Sequence, residues 1–242
     1  MSTPNQPSNP PKPVTDWWRP ELVKLPRLTP ARKIFRVFAR GLAKFLVFVL
    51  TRAEISGLEN FPKHGPALIV INHLGDADAV LLAAAVPYSI DALAKIELID
   101  DPRASWMLRG YGVIWVHRGR PDRRALRAAL EGLAENRMIA LAPEGRQTVI
   151  GGLEEGNEGA AFLAMKSGAK IIPVAMTGTE NENIYGNLKK WKRAAVTLKV
   201  GKPFFLQEQA DRQEMLRAGT RQIMESLANL LPESYRGNYK VG

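Results

Sequence analysis

Beyond Arg52 the sequence breaks into short apolar runs of β type separated by stretches with helical spacing. The runs lie at 67–71, 90–95, 113–116, 138–141, 170–176 and 196–200, and the most regular helical patterns at 78–86, 121–136 and 158–168. Strands that alternate with helices are joined by crossovers, which build a parallel or mixed sheet and cover it with helices. The pattern therefore predicts an α/β fold, a single domain with a mixed, largely parallel sheet flanked by helices. A chain of 242 residues can bury one substantial core. No internal repeat or second boundary interrupts the pattern from 52 to 232, where a last helix, 207–231, stops before Pro232 and leaves a tail at 233–242.

Ahead of this domain the composition changes. Residues 1–55 hold ten Lys/Arg against three Asp/Glu, whereas the rest of the chain is nearly balanced, so the net charge of +10 is concentrated at the N-terminal end. Residues 1–28 read as a disordered or extended leader: the first sixteen are rich in Pro, Ser and Asn with too little apolar content to offset ordering, and Trp17 and Trp18 open a Pro-punctuated stretch. Thr29-Pro30 is an N-cap followed by proline at the first helical position, and 29–51 reads as a basic amphipathic helix. Ile34, Phe35, Phe38, Leu42, Phe45, Leu46 and Val49 recur at helical spacing, as do Arg32, Arg36, Arg40 and Lys44. Two readings stay open: the helix packs its apolar stripe on the domain, or it lies in an anionic membrane surface. Both hold if the stripe is wider than the core can cover.

The longest uncharged apolar run here, Phe45–Leu50, is far shorter than the roughly 18 residues a span needs. No ordinary transmembrane helix is expected, nor a secretory signal. The zero cysteine count excludes disulfides and thiolate chemistry. Basic and aromatic side chains are not interleaved as in a stacking platform, so nucleic acid is not an expected partner.

In open α/β sheets, ligands meet the carboxyl ends of strands. Three polar clusters stand at such ends: Asn72-His73 with Asp76 and Asp78, then His117-Arg118-Gly119-Arg120, then Pro143-Glu144-Gly145-Arg146. A carboxylate that accepts one imidazole N–H leaves the other nitrogen free to take a proton from a substrate hydroxyl, so His73 and Asp78 are the candidate base and its orienting partner, with Asp76 a competitor. Arginines at the same edge could bind a phosphate in bidentate fashion. His117 reads as structural or incidental. Glu144 could hold a loop or an acceptor hydroxyl. There is no Gly-x-Ser-x-Gly elbow, and the ligand spacing of a metal centre is missing, so neither a nucleophilic serine nor a metal is expected.

Taken in order, Asn72-His73-x4-Asp78, Gly112-Val-Ile-Trp-Val-His-Arg118, Pro143-Glu144-Gly145 and Ile172-Pro173-Val174 resemble the four blocks of the glycerolipid acyltransferase family, the lysophosphatidic acid acyltransferases and their relatives, over roughly residues 52–205. The resemblance implies acyl transfer from a thioester, acyl-CoA or acyl-carrier protein, to a lysophospholipid hydroxyl, most simply 1-acylglycerol 3-phosphate. No cofactor is implied, and the site would work at the cytoplasmic face of a membrane, peripherally or monotopically. It makes His73 and Asp78 catalytic and places Asn72, Arg118, Arg120, Glu144, Gly145 and Arg146 at the substrate, with oxyanion donors expected from the start of the helix after His73. Two departures stand out. The third block usually continues Glu-Gly-Thr-Arg-Ser, but here Arg146 comes one residue early and Gln147 takes the arginine's place. Where relatives carry lysines before a glycine, this chain has Glu154, Glu155 and Glu158 ahead of Gly159.

Overall fold

A computed structural model describes residues 11–119, 121–207 and 211–239. Seven strands, β1 (Thr51–Ser56), β2 (Ala67–Ile71), β3 (Asp91–Lys95), β4 (Ile114–Val116), β5 (Met138–Leu141), β6 (Lys170–Thr177) and β7 (Ala194–Val200), form one sheet in the order β1-β7-β6-β2-β5-β3-β4. From β6 to β4 all neighbours are parallel, while β7 runs antiparallel to β6 and carries β1 parallel to itself. The expected mixed, largely parallel sheet is what forms.

β2 sits near the centre and is buried over all five residues. Its side chains alternate between two cores. Leu68 and Val70 face α4 (Arg123–Ala134), α5 (Gly159–Ser167) and α7 (Arg212–Leu230), whereas Ala67, Ile69 and Ile71 face α2 (Ala77–Ala85). Two further helices, α3 (Ser105–Tyr111) and α6 (Asn181–Lys189), complete the connections. The last helix begins at Arg212 and not at 207, because the Asp211 carboxylate accepts from the N–H groups of Gln213 and Glu214, both at 2.8 Å, and fixes the start there.

Helix α1 (Pro30–Leu50) begins as its sequence directs, with Thr29 Oγ1 accepting from Arg32 N–H at 3.3 Å and Pro30 in the first turn. Its orientation is unusual. The buried residues of α1 are Arg36 and Ala43, while Ile34, Val37, Phe38, Phe45, Phe48 and Val49 are exposed, Phe48 by 73%. Phe35, Leu42 and Leu46 are half-buried against the domain. The apolar stripe is thus wider than the core covers, and much of it faces outward. Arg36 makes the inward face possible: its Nη2 lies 2.5 Å from Asp91 Oδ1 and 3.0 Å from the Gly112 carbonyl, and its Nε donates to Tyr111 O at 2.8 Å. A buried charge needs such complete pairing. No helix among the described residues is long and apolar enough to cross a membrane.

The described part of the leader, residues 11–28, is extended apart from a turn at Pro20–Leu22, and its first half lies against the carboxyl edge of the sheet. Thr15 exchanges hydrogen bonds with the Arg118 backbone, its N–H reaching Arg118 O at 3.1 Å and its Oγ1 accepting from Arg118 N–H at 2.8 Å.

Candidate active site

The parallel register brings the ends of β2, β5 and β4 to one edge, and with them the three clusters that follow these strands. His73 stands just past β2. Its Nδ1 lies 2.7 Å from Asp78 Oδ2, and the same oxygen accepts from Leu74 N–H at 2.7 Å and Gly75 N–H at 3.0 Å. One buried carboxylate oxygen therefore fixes the imidazole and folds the backbone between the two residues. Asp78 Oδ1, also buried, has no hydrogen-bond partner among the described residues. With Nδ1–H donated to Asp78, the second ring nitrogen of His73 carries the lone pair, on a side chain that is 30% exposed at the sheet edge.

Asp76 is not the imidazole's partner. Its carboxylate accepts from Gln147 Nε2 at 2.8 Å, and its N–H goes to Asn181 Oδ1 at 2.9 Å. The N–H groups of Leu74, Gly75 and Asp76 are thus all committed, so the oxyanion donors expected directly after His73 are not supplied by these three. Gly75 is required by packing: a Cβ there would stand 2.3 Å from the Thr179 carbonyl oxygen.

Glu144 holds the loop. Its Oε1 accepts from His73 N–H at 3.1 Å and its Oε2 from Glu154 N–H at 2.8 Å, joining the β2 and β5 ends. Burial pushes its carboxyl up to about 7, against the opposing pull of those two N–H donors. Gly145 turns the chain at φ 73°, and Thr148 N–H donates to His73 O at 2.8 Å. Two positions expected at the substrate are used otherwise. Asn72 is buried and zips β2 to β6, with its Nδ2 donating to Met176 O (2.9 Å) and its Oδ1 accepting from Met176 N–H (2.7 Å). Arg146 is buried in an ion pair, Nε to Glu154 Oε2 at 2.6 Å, and donates to Pro11 O at 3.2 Å. The two departures from the family pattern are therefore linked at one point: the displaced Arg146 and Glu154, one of the three unexpected glutamates, are partners.

Arg118 follows β4. Its Nη2 lies 3.2 Å from Glu97 Oε1 in a partly exposed pair, while its Nε is buried and has no hydrogen-bond partner among the described residues. Burial of Glu97 is outweighed by hydrogen bonds from its own backbone, Thr15 and Arg118, which hold its carboxyl below the usual value. Arg120 lies outside the described residues.

The structure also reveals a second histidine–aspartate pair at the same spacing. His117 Nδ1 lies 2.8 Å from Asp122 Oδ2, and Asp122 also caps α4 by accepting from Arg124 and Ala125 N–H. Here the other nitrogen is used: His117 Nε2 accepts from Arg19 N–H at 3.0 Å, and Trp18 lies on the ring with centroids 4.0 Å apart. With a side chain only 1% exposed, His117 is structural. The open edge at His73 is what separates a candidate base from a buried strut.

The acyltransferase family model matches residues 52–177, and the chain belongs to this family. Among its relatives are a 1-acyl-sn-glycerol-3-phosphate acyltransferase of Borreliella burgdorferi, 32% identical over 130 residues covering 52% of each chain, and a lyso-ornithine lipid O-acyltransferase of Pseudomonas aeruginosa, 29% identical over 151 residues covering 62% of this chain and 56% of the relative. The chain spans about half the length of the curated relatives it matches. In fold it is similar to the 1-acyl-sn-glycerophosphate acyltransferase PlsC of Thermotoga maritima, with a TM-score of 0.63, 22% identity and 84% of each chain covered.

Proposed function

We propose that this protein transfers a fatty acyl group from an acyl thioester to a hydroxyl of a lysophospholipid, most simply 1-acylglycerol 3-phosphate, giving phosphatidic acid. The observation that carries the reading is the His73–Asp78 contact of 2.7 Å with the second imidazole nitrogen left at an accessible edge. His73 takes the proton from the acceptor hydroxyl as its oxygen attacks the thioester carbonyl, and Asp78 stabilises the imidazolium that forms. The tetrahedral intermediate then collapses, the C–S bond breaks, and the imidazolium proton passes to the departing thiolate. The products are a new ester and a free thiol, and no metal or redox cofactor enters the scheme. Glu144 and Asn72 act through the backbone, holding the His73 loop in register with β6 and the Glu154 loop.

The outward apolar face of α1, with Trp106 of α3 exposed nearby and packed edge-on against Phe35, supports a peripheral or monotopic seat on the surface of an anionic membrane, where lysolipids reside. Arg118, whose partly exposed guanidinium lies beside Glu97, is the cation assigned to an acceptor phosphate.

A second reading changes the acceptor only. With Arg146 tied to Glu154 and Gln147 to Asp76, the third cluster offers no uncommitted cation to a phosphate among these contacts, which favours a headgroup without a phosphate monoester, as in the lyso-ornithine lipid named for one relative. Purified protein assayed for product with acyl-CoA and acyl-carrier protein donors across both acceptors decides between them. Turnover of 1-acylglycerol 3-phosphate is expected; turnover of lyso-ornithine lipid alone supports the second reading, and no ester from any acceptor overturns both.

A further inference from the structure

The turn between α6 and β7 places a tryptophan where the backbone favours glycine. Helix α6 closes with Lys192 N–H donating to Asn187 O at 2.9 Å and Trp191 N–H donating to Leu188 O at 3.0 Å. These are the paired bonds of a Schellman ending, whose turning residue sits in the left-handed region and is usually Gly. Trp191 takes that place with φ 54°, an unfavourable conformation for a bulky residue. Packing within the chain gives nothing in return, since Trp191 is 97% exposed. Lys189, Lys190, Lys192 and Arg193 around it are exposed as well, and Tyr185 and Leu188 add exposed apolar surface on the last turns of α6.

The location gives this turn a use. Arg193 Nε donates to Thr51 O at 2.8 Å, and its guanidinium lies 5.7 Å from the centroid of the Phe48 ring. The turn thus abuts the end of α1 where Phe45, Phe48 and Val49 are exposed. Because β7 is antiparallel to β6 and β6 is parallel to β2, β7 starts at the edge where β2 delivers His73. Exposed indole, four cations, the bare end of α1 and the dyad share one end of the sheet.

We propose that Trp191, with Lys189, Lys190, Lys192 and Arg193, is a second membrane contact that seats in the headgroup region of an anionic bilayer beside α1. An indole is apolar in its body and polar at its N–H, which suits the interface. Cations beside it gain from anionic headgroups. A helix lying in the surface can still roll about its axis, and a second contact to one side of it fixes the roll and turns the dyad edge toward the lipid. The inference rests on the membrane-surface reading of α1 and adds to it the element that sets the orientation.

The test is co-sedimentation of the full chain with phosphatidylcholine vesicles with and without phosphatidylglycerol, together with quenching of tryptophan fluorescence by brominated lipid. Wild type is expected to bind the anionic vesicles. Trp191→Gly should weaken that binding about tenfold, the effect of half-burying one aromatic side chain, and should reduce quenching. Its melting temperature should hold or rise, because glycine relieves the backbone. Replacing Lys190 and Lys192 by Gln should cost about fivefold each. Phe38→Ser reports on α1 separately. If Phe38→Ser weakens binding while Trp191→Gly binds and quenches like wild type, this inference fails and the membrane reading of α1 stands. Failure of wild type to bind overturns both, and a lowered melting temperature in Trp191→Gly, marking the residue as structural, overturns this one.

Discussion

Replacing Asp78 by Asn removes one charge and almost no volume. Asp78 Oδ2 receives three donors, from His73 Nδ1, Leu74 N and Gly75 N, at 2.7, 2.7 and 3.0 Å, so the asparagine must turn its carbonyl oxygen to them. Its NH2 group then occupies the place of Oδ1, where no hydrogen-bond partner is found among the described residues. A buried unsatisfied amide costs about 1–3 kcal/mol, which lowers the melting temperature by about 2–10 °C in a chain of this size. The catalytic loss is larger. The imidazolium formed during transfer loses an anion whose charge centre is roughly 4 Å away, worth about 4 kcal/mol at an effective dielectric constant near 20, or about a thousandfold in kcat. Thiol release from acyl-CoA in detergent micelles measures it. Asp78→Asn should show kcat down about thousandfold with acceptor KM nearly unchanged, while Asp76→Asn stays within about threefold of wild type, since the Asp76 carboxylate accepts from Gln147 and not from the imidazole. A wild-type kcat in Asp78→Asn, with the protein folded, refutes this reasoning.

Other outcomes follow from the same contacts. Glu144 is raised from 4.5 to about 7, so between those values the folded protein keeps a proton that the unfolded chain releases. Its contribution is fully present below about pH 4.5 and is lost as pH rises through about 7, a decline of about 3 kcal/mol; urea titrations across that window should find the slope flattened in Glu144→Gln, and an unchanged slope contradicts the assignment. Arg36→Ala leaves Asp91 buried with only Arg137 nearby at 3.7 Å, and should cost about 3–5 kcal/mol, seen as a large fall in urea midpoint. Glu154→Ala deletes the buried partner of Arg146 and should destabilise by a similar amount, about 3–5 kcal/mol, whereas Glu155→Ala, at an exposed position, should stay within about 0.5 kcal/mol of wild type.

Much of the scaffold was legible because its central strands are buried on both faces. Ala67–Ile71 is an unbroken apolar run that ends in Asn72-His73, and a run of that kind has no other stable placement. Strand β1 was not anticipated, because at the sheet edge it exposes Arg52, Glu54, Ile55 and Ser56 and turns only Thr51 and Ala53 inward, too few apolar residues to impose a period. Helix α6 was missed for a related reason: none of its residues is buried, and the β6–β7 connection positions it. In the site, spacing made Asp78 a candidate partner of His73 with Asp76 as a competitor, and the same spacing also yields His117 and Asp122. What distinguishes them is Arg19 and Trp18, about a hundred residues away in sequence, closing the second imidazole. Arg36 reads as one of four solvent-facing cations until Asp91 is placed beneath it. Arg146 reads as a substrate contact and Glu154 as a missing lysine when taken singly, and only their 2.6 Å approach shows them to be one buried pair.

The two histidine–aspartate pairs provide the most direct test of the central claim, that the accessible imidazole is the base of an acyl transfer. Wild type, His73→Ala and His117→Ala should be compared for esterification of 1-acylglycerol 3-phosphate from acyl-CoA, with circular dichroism to confirm folding. The account predicts ester formation by wild type, a loss of about a thousandfold or more in His73→Ala without loss of fold, and in His117→Ala lowered stability with turnover per folded molecule largely kept. Wild-type turnover in His73→Ala would contradict the account outright.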